Sequence, residues 1–290
     1  MSQKPKSQGI FEGTDEIVSS FLGLTGGEKL KQKSTCQRLA SAPNGPLDFE
    51  VLISDLYARI EHNWSHRDRQ SPPSLQNWRS EPQTTLDKDN RSPEVLLERA
   101  VAILGSRDIL PGWFNQVPVA SGLVDSHADG RAAIDLVQRH GDRAEFIELK
   151  WNSDTPAFAA FEILRYGLVF LFSSFNREAL GYSEKGLLDA RDVMLRVLAR
   201  HAYYDEFDLT WLGHGLDGGI RAFAERMTNG KLSMGFGFLA FSAEFRTPFM
   251  EGADVLRLRE GPADTEEIRS LMSAIRNIVP VWQSRGFEAA

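Results

Sequence analysis

Apolar residues recur at helical spacing near the beginning of the chain. Residues 47–64 place an apolar stripe on one side of a predicted helix, formed by Phe49, Leu52, Ile53, Leu56 and Ile60. A second helix is predicted from Pro93 to the residue before Gly105, because Ser92 is a good N-cap and proline suits the first helical position.

Further along, the pattern alternates between strands and helices. Residues 131–139 and 143–151 are predicted strands, joined by a turn at His140-Gly141-Asp142, and 113–120 is a third strand. The remaining predicted elements are helices at 155–175, 185–202, 220–227 and 264–278, and strands at 207–212 and 234–241. This order predicts an α/β protein with a mixed sheet flanked by helices.

The first 90 residues differ in amino-acid composition from the rest of the chain. Residues 1–46 are rich in Ser, Gly, Lys and Gln and predict mostly irregular structure, with a short helix at 15–22. Residues 67–90 are polar and interrupted by proline, which is typical of a linker or extended arm. We therefore predict an N-terminal arm (1–90) and a domain (91–290). The arm is a candidate contact for a homodimer or another protein partner.

Composition narrows the class of protein. The chain has 290 residues, 42% hydrophobic and 25% charged, as in an ordinary soluble globular protein. Its net charge of -7 disfavours a protein that coats nucleic acid through a basic surface, but not an enzyme with a few local cations. The single cysteine, Cys36, cannot form an internal disulfide and fits the reducing cytoplasm.

No targeting or membrane segment is predicted. The N-terminal sequence is polar and lacks the apolar stretch of a secretory signal. Residues 157–175 are long enough to span a membrane, but Glu162 and Arg165 lie near the middle, where charges are costly. A helix buried inside a soluble protein is the expected structure.

The predicted hairpin carries the candidate chemistry. With Gly141-Asp142 as the loop, paired residue numbers sum to 283, which places Asp135 opposite Glu148 with Cβ atoms roughly 5 Å apart. Because side chains alternate along a strand, Lys150 shares the face of Glu148. The other face is apolar and carries Ile134, Leu136, Ile147, Leu149 and Trp151.

Two facing carboxylates repel each other by about 3 kcal/mol at an effective dielectric constant of 20. Lys150 offsets part of this repulsion, and Mg²⁺ or Mn²⁺ held by Asp135 and Glu148 would offset more, because oxygen ligands suit these ions. The alternative is a solvent-facing Asp135, with Glu148 and Lys150 in ordinary cross-strand salt links.

Ile134-Asp135, followed by Glu148-Leu149-Lys150, resembles the Asp…Glu-x-Lys signature of the PD-(D/E)xK, or restriction-endonuclease-like, nuclease superfamily. The resemblance implies a core with the order α-β-β-β-α-β. It also implies an acid on the helix before the first strand; residues 97–105 are similar, so that role is carried to Glu98, with Glu94 in reserve. Alternatively, Glu98 is an acid on the helix surface.

In exonuclease-like branches, the helix after the third strand often carries Gln-x-x-x-Tyr. Here Tyr166 matches, and Glu162 stands in the place of the glutamine. Glu162, Arg165 and Tyr166 share one stripe of an apolar helix. That stripe either faces the acids, so that Arg165 and Tyr166 contact substrate, or forms a buried ion pair that holds the helix.

The resemblance implies a cytoplasmic, Mg²⁺- or Mn²⁺-dependent endo- or exonuclease, with DNA favoured over RNA. Asp135 and Glu148 would hold the metal, Glu98 would complete or orient its surroundings, and Lys150 would act beside the attacking water. Restriction, phage defence, repair and mobile-element processing all remain open. The alternatives are a non-catalytic nucleic-acid-binding or assembly subunit, and an unrelated protein that mimics the signature.

Overall fold

A computed structural model of the protein describes residues 9–42, 47–67, 72–125, 129–130 and 132–282. One mixed sheet contains six strands: β1 (Trp113–Pro118), β2 (Ala133–His140), β3 (Arg143–Lys150), β4 (Asp192–Arg200), β5 (Ser233–Phe241) and β6 (Val279–Pro280). The strands lie side by side in sequence order. β3, β4 and β5 are parallel, whereas the β1–β2, β2–β3 and β5–β6 pairs are antiparallel.

Helices flank this sheet. The described α-helices are α1 (Thr14–Phe21), α2 (Lys33–Arg38), α3 (Phe49–Ser65), α4 (Pro93–Ser106), α5 (Pro156–Phe175), α6 (Arg177–Leu180), α7 (Thr210–Thr228), α8 (Gly252–Leu256) and α9 (Glu266–Arg276). One hydrophobic cluster joins α3, α5 and α7 to the sheet, and a second joins α4 and α9 to it. The predicted mixed α/β class, with a sheet flanked by helices, is confirmed.

The β2–β3 hairpin has the predicted register. Its pairs run from His140 with Arg143 to Leu136 with Ile147, and each pair sums to 283. Gly141 adopts a left-handed φ of 61° in the turn, a conformation that glycine reaches without steric cost. Leu136 and Ile147 lie in the α4 cluster, as predicted for the apolar face, whereas Ile134 packs in the α5 cluster.

The first 90 residues pack against the sheet and its helices. Helices α1 and α3 match the predicted helices, and α2 is an addition. Ile10, Val18 and Leu52 are buried in the same cluster as α5. The stretch predicted as a linker has neither helix nor strand in its described part. It nevertheless follows the outer edge of β1, where Trp78 N donates to Pro118 O at 2.8 Å.

The helix predicted at 185–202 is wrong, because half of this stretch is the central strand β4. Its leucines and valines are buried on both faces: Val193 and Val197 on the α5 side, and Leu198 on the α4 side. A strand covered on both faces loses the simple alternation that reveals most strands. The run therefore resembles a buried helix in sequence.

The strand predicted at 207–212 is also wrong, because its second half belongs to helix α7. The glycines that follow it, between 213 and 219, lie inside the same helix. A Cβ atom on Gly215 would come within 2.1 Å of the Phe49 ring, and one on Gly219 within 2.9 Å of the Phe49 backbone carbon. These glycines allow α7 to approach α3 closely, so they do not end the helix.

Helix α5 is the one helix in the described part of the chain that is long and apolar enough to cross a membrane, with a mean hydropathy of 1.5. It lies between the sheet and α3, and 72% of its most apolar 18-residue window is buried. Thr155 caps it by accepting from Phe158 N at 3.3 Å. The burial agrees with the core helix of a soluble protein.

Candidate functional site

Asp135 lies where strands β2 and β3 separate. The backbone ladder ends at the pair Leu136–Ile147, one step before the predicted pair of Asp135 with Glu148. Instead, Leu149 N donates to Asp135 Oδ2 at 2.9 Å. The carboxylate thus replaces a carbonyl of the ladder and lies between the two strands, beside the end of β3.

Glu148 and Lys150 lie two residues apart on β3 and form a buried ion pair. Lys150 Nζ is 2.7 Å from Glu148 Oε1, and the two residues are 7% and 4% exposed. The second carboxylate oxygen, Glu148 Oε2, is buried and receives no hydrogen bond. An ionised carboxylate has lone pairs for about four donors. Oε2 is therefore available to a ligand.

Helix α5 contributes a third acid, Glu162, for which the sequence left open whether it faces the acids or forms a buried ion pair that holds the helix. Glu162 Oε2 lies 3.5 Å from Lys150 Nζ, and Tyr166 OH donates to Glu162 Oε1 at 3.4 Å. The available signal was a single acid in an apolar helix, one turn before a tyrosine. Tyr166, a predicted substrate-binding residue, is 8% exposed and lies beside the acids.

Burial and mutual repulsion favour protons on the acids. Burial raises the pKa of Asp135, against the opposing effects of Lys150 and the hydrogen bond from Leu149. Burial, and then the charge of Asp135, raise the pKa of Glu148 well above its usual range. Burial alone would lower the pKa of Lys150, but the charges of Glu148 and Glu162 outweigh it and raise this pKa. With all of these acids ionised, the cluster would hold more negative than positive charge, which is why a proton or a cation is favoured there.

Glu98 lies on α4 within a buried polar network. It accepts hydrogen bonds from Asn115 Nδ2, from the Arg99 guanidinium and, at 3.1 Å, from Gln116 Nε2. Burial raises the pKa of Glu98 to about 7, and the charge of Asp135 adds to the increase while Arg99 opposes it. Glu98 is thus close enough to Asp135 for the charge of Asp135 to raise its pKa, although no hydrogen bond joins the two residues.

Gln116 has a left-handed φ of 48° inside strand β1. Neighbouring side chains of a regular strand point to opposite faces. Here both Asn115 and Gln116 reach the carboxylate of Glu98. The unusual backbone conformation brings two consecutive side chains to one acid, at a strain of order 1–3 kcal/mol for a non-glycine residue.

Glu94, the reserve candidate, contacts the segment that follows β3. Its Oε1 accepts from Trp151 N at 2.6 Å and from Ser153 Oγ at 2.7 Å. Its charge also contributes to the raised pKa of Asp135. Glu94 therefore holds the chain immediately after Lys150 and lies near the acids.

Arg165 points away from the acids. Its guanidinium pairs with Asp15 of α1, and the Arg165 side chain is only 13% exposed. The stripe predicted on α5 therefore divides: Glu162 and Tyr166 face Lys150, whereas Arg165 holds the N-terminal segment. The assignment of Arg165 to substrate binding stays a prediction.

The donor set suits a hydrated magnesium ion better than a fully enclosed metal. Within the described ranges, no group of three or more His, Cys, Asp or Glu side chains is arranged to hold a metal ion. Mg²⁺ usually keeps several waters and binds one or two carboxylates. Asp135 and Glu148, with the unpartnered Oε2 atom, fit that requirement.

Comparison of the chain with protein-family models, with curated proteins and with solved structures found no match. The fold and the site therefore define the class by themselves: a mixed α/β protein with a buried cluster of acids around one lysine.

Proposed function

We propose that the protein is a metal-dependent nuclease of the PD-(D/E)xK, restriction-endonuclease-like type. The observation that carries this proposal is the unpartnered oxygen of Glu148, buried beside Asp135 and Lys150. Leaving a buried carboxylate oxygen without a donor lowers stability. A ligand-binding role accounts for keeping the atom in that state.

Asp135 and Glu148 would hold Mg²⁺ or Mn²⁺. When bound, such an ion polarises a phosphoryl oxygen and lowers the pKa of a water molecule. Lys150 stays protonated because acids surround it, so its ammonium group can stabilise negative charge that develops on the phosphate. Glu94 holds the backbone just after Lys150 through Trp151 N, and Glu98 holds the side chains of Asn115 and Gln116 on β1.

The proposed substrate is nucleic acid, with DNA favoured. The net charge of -7 leaves phosphate recognition to local groups, of which Tyr166 adjoins the acids. Arg165 would contact another phosphate of the same strand, on the side of helix α5 that faces α1, by exchanging Asp15 for that phosphate. A cytoplasmic role in restriction, phage defence or repair is consistent with this activity.

A second candidate function is a non-catalytic nucleic-acid-binding or assembly subunit. One observation favours it: Lys150 already pairs with Glu148 and Glu162, so the cluster is partly neutralised without a metal. Such a subunit would bind nucleic acid with or without divalent cations and would cut nothing.

Cleavage of plasmid and single-stranded DNA in Mg²⁺ or Mn²⁺ tests the proposal. The wild type is compared with Lys150→Ala, Asp135→Asn and Glu148→Gln. Lys231→Ala serves as the matched control, because Lys231 is exposed and lies between α7 and β5, outside the acid cluster. We expect cleavage by the wild type and the control, and loss of at least a hundredfold in the three site variants.

The outcomes separate the candidates. Cleavage that persists in Lys150→Ala or in chelator would overturn the proposal. Metal-independent binding without cleavage would favour the non-catalytic subunit. Neither binding nor cleavage would indicate an unrelated function.

A further inference from the structure

A cavity outside the acid cluster is lined by residues of strands β4 and β5 and helix α7. It has a volume of about 350 Å³, within the range of small-molecule sites. Its wall includes Arg196, His214, Asp217, Arg221, Phe238 and Trp282. We call it the Arg196 cavity.

Arg196 points to the opposite face of the sheet from Glu148 and Lys150. It is the register partner of Ile147, and side chains of paired residues share a face, whereas Ile147 and Glu148 are consecutive and point to opposite faces. Phe238 pairs with Val197 and lies on the other face, so the cavity reaches both faces at β5. The acids around Lys150 do not line it, and the cavity is therefore separate from the proposed nuclease site.

Arg196 is a half-buried cation with incomplete hydrogen bonding. Its side chain is 18% exposed, and its Nε atom donates no hydrogen bond. Glu145 Oε2 lies 3.7 Å from this Nε atom. A Cβ atom on Gly237 would come within 2.5 Å of Arg196 Nη1. Glycine at this position therefore lets the guanidinium lie across β5 at the cavity floor.

The one carboxylate of the wall is already occupied. Asp217 Oδ1 accepts from Phe236 N at 2.8 Å, which satisfies a donor at the edge of β5, and Asp217 also pairs with Arg221 at 3.2 Å. The wall itself therefore carries two arginines and one acid, and Glu145 lies behind Arg196 at 3.7 Å. Burial lowers the pKa of Arg196, an effect that a bound anion would offset.

An aromatic surface adjoins these cations. The Trp282 ring is half-buried and packs edge-on against Phe238, with ring centroids 4.9 Å apart. A nearby planar ring would find a stacking partner, and aromatic stacking on a nucleobase is worth about 1–3 kcal/mol. Cations beside an aromatic wall, in a space much larger than a phosphate ion, suit a ligand that has both an anionic group and a ring.

We propose that the Arg196 cavity binds a nucleoside monophosphate, with its phosphate on Arg196 and Arg221 and its base against Trp282. Guanidinium groups match phosphate geometry through paired hydrogen bonds. Arg196 Nη1, which lies beside Gly237 of the cavity wall, would donate to the phosphate. This binding does not depend on the proposed nuclease activity.

Calorimetric titration of the full chain with AMP and GMP tests the inference, with inorganic phosphate and adenosine as partial ligands. We expect saturable binding of at least one nucleotide, at least tenfold tighter than either partial ligand. Arg196→Gln should weaken it at least tenfold and Trp282→Leu several-fold. Arg226→Gln is the control. Arg226 lies on helix α7, like Arg221 of the cavity, but pairs with Glu50 outside the cavity.

Lys150→Ala should bind the nucleotide as the wild type does, which separates this site from the proposed nuclease site. Circular dichroism establishes that each variant is folded, and Trp282→Leu supplies the test if Arg196→Gln is not. Three results would overturn the inference: no saturable binding of either nucleotide, binding unchanged in folded Arg196→Gln and Trp282→Leu, or binding lost in Lys150→Ala.

Discussion

Lys150 Nζ lies 2.7 Å from Glu148 Oε1, whereas Glu148 Oε2 is buried without a donor. The Lys150 ammonium group thus contacts one oxygen of the Glu148 carboxylate, and the other oxygen has no hydrogen-bond partner. Asp135 and Glu162 add two further acids around the same lysine. A site with this excess of negative charge costs stability until a cation or a proton joins it.

Glu148→Gln is therefore expected to stabilise the protein in the absence of divalent cations. The amide oxygen can keep the contact with Lys150, and the repulsion from Asp135 is removed. At pH 8 in chelator, we expect the free energy of unfolding to rise, because burial and the charge of Asp135 raise the pKa of Glu148 and so make its ionised form costly in the folded state. Urea denaturation measures the change. A variant less stable than the wild type would show that the attraction between Glu148 and Lys150 outweighs the repulsion between Glu148 and Asp135.

Added Mg²⁺ should stabilise the wild type and have no effect on Glu148→Gln. Ligand that binds only the folded state raises stability by about 2.7 kcal/mol at a concentration 100 times its Kd. Thermal unfolding across a Mg²⁺ series measures this effect without any nucleic acid. Asp135→Asn serves as the second variant, because its oxygen can still accept from Leu149 N. An equal shift of the Tm in all three proteins would place the ion elsewhere.

Glu98 should make folding stability fall as pH rises. Its pKa is raised from 4.5 to about 7, so between these pH values the folded protein binds more protons than the unfolded chain. Its contribution is greatest below pH 4.5, declines as pH rises and is lost above pH 7. The difference corresponds to about 3 kcal/mol.

The test compares urea denaturation of the wild type and Glu98→Gln from pH 5 to pH 8 without divalent cations. The stability of the variant relative to the wild type should increase with pH. Glu244→Gln, at an exposed position, should follow the wild type throughout. A constant difference between Glu98→Gln and the wild type would mean that Glu98 has the same pKa in the folded and unfolded states.

Local patterns predicted the hairpin well, because its turn and its alternation are encoded within a few residues. Gly141 fixes the loop, and the resulting register extends to Leu136 and Ile147 as expected. What local pattern could not show is the separation of the strands at Asp135. It depends on a side-chain acceptor that takes the N–H of Leu149.

Long-range contacts explain the failures elsewhere. Strand β4 resembles a helix because both of its faces are covered by other elements. Helix α7 looks broken because its glycines fit against Phe49, more than 160 residues away in sequence. Glu162 gains its place beside Lys150 in the same way, from the packing of α5 on the sheet. Single-sequence patterns contain none of these contacts.

Trp78 should be essential for stability, although it lies in a stretch that sequence composition predicts to be a linker. It is 1% exposed and packs against Phe146 and Phe170. Truncation of a buried aromatic residue costs about 3–5 kcal/mol, so Trp78→Ala should unfold at much lower urea concentration. Leu75→Ala is the matched control, since Leu75 is 63% exposed and should change stability by less than about 0.5 kcal/mol. Equal effects of the two substitutions would contradict the packed arrangement.

Gly219→Ala and Gly218→Ala should change stability in opposite directions, although the two glycines are neighbours in helix α7. Alanine is better than glycine inside a helix by about 1 kcal/mol, and a Cβ atom on Gly218 would meet nothing within 4 Å. A Cβ atom on Gly219 would meet the backbone of Phe49 at 2.9 Å, which can move only with helix α3. Overpacking of this kind costs about 1–3 kcal/mol, more than the helix preference returns. Urea denaturation of the two variants should therefore place the wild type between them, and stabilisation by Gly219→Ala would mean that α3 and α7 lie farther apart than described.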